Sequence, residues 1–369
     1  MRMHALREAM CWLGQSRCRG RRAGPIMQGM TLLLPARFAL GWTLPLAVGW
    51  AAWRSPYAAW ATTFAFQVGL ALLELLPGLR HSPPADPVER PWYRWCLRLH
   101  VPLQLGLMML GAWLALQHRG EPLAVLALAI AVGGVAGSQG ITYAHELGHS
   151  RRRADRLLAW VLMGTVLYAH FMIEHYRGHH VRAATDDDPA SAREGESLWR
   201  FLPRTLAGSW RSAWRLEARW LAQRGRGWLR SPLAGAAAAQ AALLAGLWAW
   251  GGASVVLFWL VQAAYAVFLL ETVNYIEHYG LRRERGADGR PEPFGVGHAW
   301  NADHLLTNCF IANLQRHSDH HMHAWKPYST LEPLPGPQLP TGYAGCIFLA
   351  AVPSWWFRLM SRRLAQAPR

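Results

Sequence analysis

This sequence has no CxxC pair, a single lysine, no internal repeat and no leader-like apolar core at its start. Its five cysteines, Cys11, Cys18, Cys96, Cys309 and Cys346, are too scattered for a thiolate metal site. The membrane topology puts most of them on a reducing side, which also argues against a disulfide framework. Apart from Lys326, the 38 basic residues are arginines spread over several segments with no compact recognition motif, so the net charge of +16 does not point to nucleic acid. Residues 1–30 are Arg-rich without a continuous apolar run, which excludes a secretory signal and reads as a basic, disordered tail. Met27 and Met30 are alternative starts to Met1.

Apolar length is what the chain has in quantity. Hydrophobic residues make up 52% of it, with 21 tryptophans, and they collect in nearly charge-free runs over about 35–53, 57–77, 99–117, 122–143, 233–250 and 253–273. Each run approximates the length that a hydrocarbon core demands, and buried helices of a soluble core rarely supply six of them. The fold class is therefore an all-α integral membrane protein, with six spans arranged as three hairpins. Only Arg54 and Arg119 fall in the short outer loops; the other basic residues lie on the opposite side. That asymmetry places both termini in the cytoplasm. Residues 31–360 form one membrane domain, and 361–369 a C-terminal tail. Two segments are too short to cross: 157–172 reads as a helix buried at the interface or tilted into the bundle, and 346–357 as one that lies in the interface.

Nine of the 17 histidines fall in four short windows. "HELGH" carries His145 and His149, "EHYRGHH" carries His175, His179 and His180, "NYIEHYGL" carries His278, and "RHSDHH" carries His317, His320 and His321. On a helix, positions three or four apart share a face, so these side chains converge. Every window lies at or beyond the inner end of a span, which makes a cytoplasmic helical cap. Imidazoles without thiolates suit iron, copper or zinc, and nine exceed the needs of one ion, so two are implied. The zinc-protease reading of HExxH needs only three protein ligands and leaves six histidines unused. A metal transporter would place histidines within the spans, whereas these stop at the inner surface.

These motifs resemble the membrane-bound alkane 1-monooxygenases (alkane hydroxylases), within the wider fatty-acid desaturase and hydroxylase superfamily. The likeness covers roughly residues 35–360 and includes "DPASAREGES", "WNADHLLTN" and "LPTGY". "NYIEHYGL" and "LQRHSDHH" are the more specific elements, since the other boxes also suit desaturases and hydroxylases of the xylene or toluene type. The resemblance implies that His145, His149, His175, His179, His180, His278, His317, His320 and His321 are ligands of a di-iron site. It implies hydroxylation of the terminal methyl of n-alkanes to 1-alkanols with O2. Electrons would come from rubredoxin, itself served by a rubredoxin reductase. Without CxxC pairs, this chain needs its rubredoxin as a separate chain. The resemblance further implies a multi-pass protein of the bacterial inner membrane. Two positions depart from the family pattern: Ser150 stands where lysine is usual and Tyr176 where asparagine is usual.

Around the boxes, Glu146, Glu174, Glu277 and Asp319 are candidates to accept the free imidazole N–H and fix its tautomer, with Asn274 and Asn301 in similar positions. His170, His304 and His323 are close in sequence but are not matched by the family motifs. Glu74 lies late in the second span, where an ionisable group is costly unless paired or near the interface. Trp60, Phe64 and Phe66 in that span are candidates to close the far end of a substrate channel and limit chain length.

Overall fold

The computed structural model of the chain describes residues 35–367. The basic tail expected over 1–30 lies outside the described residues. The described residues from Phe38 onward form one compact unit. Among the described residues the architecture is all-helical, with only isolated bridges, Arg285 to Pro291 and Asn301 to Gln338, in place of strands.

Serine and proline set where the apolar runs become helices. Ser55 accepts the Tyr57 N–H at 3.3 Å and Pro56 takes the first helical position, which starts α2 (Pro56–Leu73) directly after α1 (Thr43–Arg54). Helices α3 (Pro91–Gln117) and α4 (Pro122–His149) also begin on proline. After α5 (Arg153–Thr165) the chain turns at Leu167, whose φ of 56° ends the apolar segment well short of a crossing. Next come α6, which begins at Phe171–Glu174 and ends at His180–Arg182, and α7 (Leu198–Ala222).

Helix α8 (Pro232–His278) has 47 residues, about 70 Å at the usual rise and more than twice a hydrocarbon core. It breaks at Gly252, where φ of 65° and ψ of −152° suit only glycine. The break lies beside the loop after α3, where Ser254 Oγ donates to the Arg119 carbonyl at 3.2 Å. Short helices complete the chain: α9 (Leu305–Phe310), α10 (His317–Met322), α11 (Tyr343–Ala351) and α12 (Pro353–Leu364).

Helices α3, α4 and α8 are long and apolar enough to cross a membrane. Large side chains such as Trp50, Trp53, Leu123 and Trp248 face outward, a surface that suits lipid better than water. This is a membrane protein. Within it, α4 and α8 touch backbone to backbone. A Cβ on Gly133 would lie 2.5 Å from the Gln262 carbonyl oxygen, and one on Gly137 would lie 2.8 Å from Ala266 Cα. Small residues spaced by four let helices approach this closely in lipid, and here they bring together the two helices that end in "HELGH" and "NYIEH".

Candidate metal centre

Local helix geometry decides where each imidazole points. In α4, residues Ala136–Gly140 form a π turn just upstream of Ile141–His149, which carries His145 and His149 one turn apart. Tyr176 Oη donates to the His145 carbonyl at 2.8 Å, tying this helix end to α6, and the ring lies where a Cβ on Gly148 would intrude. In α6 the segment His175–His179 is itself a π turn, closed by the His180 N–H on the His175 carbonyl. Five-residue periodicity therefore replaces the ordinary one. His175 and His180 fall on one side, their Nε2 atoms 2.9 Å apart, and His179 turns to the other. The i, i+4 pairing expected for "EHYRGHH" is thus corrected to i, i+5. Helix α10 is an ordinary turn, and it sends His317 and His321 to one side and His320 to the other.

The result is two adjacent groups. His145, His149, His175, His180 and His320 form one, and His179, His278, His317 and His321 the other; within each, ligand-capable atoms lie within 4.8 Å of one another. The rings of His180 and His321, one from each group, are 4.5 Å apart. All nine residues singled out in the sequence occur in these groups, and His170, His304 and His323 occur in neither.

Burial first, and neighbouring imidazoles second, hold His175, His180, His317 and His321 well below the ordinary histidine pKa. Burial and His179 likewise bring His320 down to about 3. Such rings stay neutral and keep a lone pair for a cation. The buried nitrogens His149 Nε2, His179 Nε2 and both of His320 and His321 find no hydrogen-bond partner in the protein. In His317 and His278 the two Nε2 atoms face each other at 3.2 Å. Buried polar atoms are rarely left unpaired, and a metal ion in each group is the partner this donor set fits.

The flanking acids behave differently from expectation. Glu277 comes near a ring: its Oε1 accepts from Tyr343 Oη at 2.8 Å and lies 3.3 Å from His317 Nδ1, within ion-pair reach though not aligned as a hydrogen bond. The other candidates brace the backbone and neighbouring side chains. Glu146 accepts the Tyr328 N–H, Glu174 pairs with Arg182, and Asp319 takes Lys326, His323 and the Glu332 N–H. Asn274 donates to Glu271, and Asn301 holds Ser318 at the start of α10. For Glu146, Glu174 and Asp319 adjacency explains the correction, because a residue next to a histidine on a helix points about 100° away from it. Missed altogether was Asp188, whose Oδ2 is 2.9 Å from His179 Nδ1. Burial would raise its pKa, but the His179 ring and hydrogen bonds from His179 and Ser191 bring it down to about 2. Its one signal was membership of "DPASAREGES". The His298 carbonyl, 3.3 Å from His278 Nδ1, carried no sequence signal.

An apolar cavity of about 260 Å³ runs between α2, α4, α8 and α11, lined by Phe66, Leu70, Leu269 and Ile347 among others. Its inner wall at Gly137, Thr142, Val273 and Leu314 is shared with a smaller space that His145, His175 and His317 line. Phe66 belongs to the wall and packs edge-on against Phe310 at 4.7 Å. Trp60 and Phe64 stack on each other on the outer face, 41% and 48% exposed, and line no part of it. That corrects their candidacy: a helix offers only one stripe inward. Glu74 is buried and accepts the Thr307 N–H at 2.7 Å, so it joins α2 to α9. A separate cleft of about 190 Å³, lined by Arg94, Glu146, Arg151 and Lys326 among others, reaches His149.

Buried imidazole groups at and beside the ends of two helices long enough to cross a membrane, next to an apolar cavity, define a membrane protein with a histidine-rich site that fits metal. Residues 121–358 match the model of the fatty acid desaturase family. The chain is 38% identical over 337 residues to alkane 1-monooxygenase 2 of Pseudomonas aeruginosa, covering 87% of this chain and 88% of that one. It is 37% identical over 295 residues to alkane 1-monooxygenase of Pseudomonas putida, covering 77% and 72%. A xylene/toluene monooxygenase hydroxylase component of Pseudomonas putida is more distant, at 26% over 270 residues and 72% of each chain. The chain belongs to the fatty acid desaturase family and, within it, to the alkane 1-monooxygenases.

Proposed function

We propose that this chain is a di-iron alkane 1-monooxygenase that converts n-alkanes to 1-alkanols, with O2 as co-substrate and rubredoxin as a separate electron donor. The observation that carries this reading is an apolar cavity that shares a wall with a smaller space lined by histidines of both groups. The five-histidine and four-histidine groups would each hold one iron, and the bound pair would supply the activation of O2 for attack on a C–H bond.

The chain's own residues do the rest. A methyl terminus offers no polar handle, so Phe66, Leu70, Leu269 and Ile347 must hold the chain by apolar packing and shape. Passage of the chain end between Gly137, Thr142, Val273 and Leu314, which line both the cavity and the space beside the histidines, would present the terminal carbon first. Electrons and protons would enter through the cleft with charged walls that reaches His149. An acidic rubredoxin, with its reductase, suits a chain of net charge +16.

This function goes with six crossings in three hairpins and a bacterial inner membrane. The domain would run over 31–360 with a short tail beyond it, and the termini and histidines would face the cytoplasm. The charge asymmetry of the loops supports that orientation. Product analysis tests the function: purified protein with rubredoxin and its reductase is given octane, hexadecane, p-xylene and an acyl substrate. 1-Alkanols from the alkanes are expected. Their absence, or preference for xylene or the acyl chain, overturns the assignment.

A further inference from the structure

The two histidine groups differ in what stands behind them. Asp188 is 1% exposed, and its Oδ2 lies 2.9 Å from His179 Nδ1. The same oxygen accepts the Ser191 hydroxyl at 2.7 Å, and Oδ1 accepts the Ala190 N–H at 3.2 Å. The neighbouring acids Asp186 and Asp187 face outward, paired with Arg282 and Arg285, so Asp188 alone of the three turns inward. With Nδ1 committed to the carboxylate, Nε2 of His179 is the nitrogen left to face its group, and that buried atom has no other partner. A second carboxylate, Glu277, stands 3.3 Å from His317 Nδ1 in the same group. For the five-histidine group, no carboxylate among the described residues comes within ion-pair reach of any ring; Asp319, next to His320 in sequence, is spent on His323 and Lys326.

We infer that Asp188 is a positioning residue that makes the two iron positions unequal, by giving a ring of the four-histidine group a carboxylate hydrogen bond that no ring of the five-histidine group has. A carboxylate on the far nitrogen fixes the tautomer and ring orientation and makes the imidazole a stronger donor. A group in which one ring is held by a carboxylate hydrogen bond is therefore a different site from five rings with no such bond. This inference rests on the proposed di-iron reading.

The test uses the full-length protein loaded with ⁵⁷Fe, comparing the parent with Asp188→Asn and with Asp187→Asn as a surface control. Iron per chain is followed against increasing chelator, beside Mössbauer spectra. In Asp188→Asn, one of two irons should be released at about 10–100-fold lower chelator strength, with one spectral component changed and the other kept. Asp187→Asn should match the parent. Ser191→Ala keeps the carboxylate and removes one hydrogen bond to it, so it should weaken the same iron to a smaller extent, and it serves if Asp188→Asn does not fold. A parent with two irons whose variants lose both together, or neither, overturns the inequality alone. A parent without a metal pair overturns the di-iron reading and this inference with it.

Discussion

His278 shows what one side chain decides. It is fully buried at the end of α8, its Nδ1 toward the His298 carbonyl and its Nε2 toward His317. It is the one histidine that α8 gives to the four-histidine group. Removing its imidazole takes away a quarter of that group's donors without touching the apolar faces of the spans. Replacement by alanine should therefore abolish 1-alkanol formation while the protein still inserts, as measured by product analysis beside membrane fractionation. Residue identity was the most legible level. The nine histidines stood out because imidazole is rare at such density, and all nine occur in the two groups. Asp188 was hidden because a carboxylate in a run of three looks solvated until the fold turns it inward.

At the scale of elements, backbone detail allots ligands to groups. The π turn at His175–His179 gives His175 and His180 to one group and His179 to the other. Periodicity alone could not anticipate it, because the extra residue per turn is a tertiary accommodation. The close approach of α4 to α8 is a second element-level feature. Gly133→Ala places a methyl 2.5 Å from the Gln262 carbonyl oxygen and must wedge the helices apart. Overpacking of this kind costs about 1–3 kcal/mol, which should appear as a lower melting temperature in detergent and lower activity. The cavity wall on α2 supplies another prediction. Phe66→Ala widens the space beside Phe310 and should shift turnover severalfold from octane toward longer or branched alkanes. Trp60→Ala, on the outer face, should leave that ratio unchanged.

Across the whole molecule, the histidine groups tie together segments that are far apart in the chain. Rings from α4, α6, α8 and α10 meet in two small volumes, so bound metal would act as a cross-link between helices. Ligand binding to the native state alone adds stability as RT ln(1 + [L]/Kd), about 2.7 kcal/mol at a hundredfold excess over Kd. Chelation should therefore lower the melting temperature by several degrees, and iron should restore it, as followed by thermal unfolding in detergent. A protein whose stability ignores chelator would contradict the metal assignment independently of any activity.

The sequence by itself determined the all-helical class, the apolar segments and the identity of the nine histidines. Hydrophobic length, glycine and proline placement and imidazole density are local properties that a linear reading captures. Only the tertiary structure decided how those histidines divide into five and four. It also decided that Asp188 backs one group, that Phe66 alone of three aromatic candidates lines the cavity, and that Glu74 joins α2 to α9. Each of these depends on which side of a helix meets a neighbour distant in the chain, and packing in three dimensions settles that.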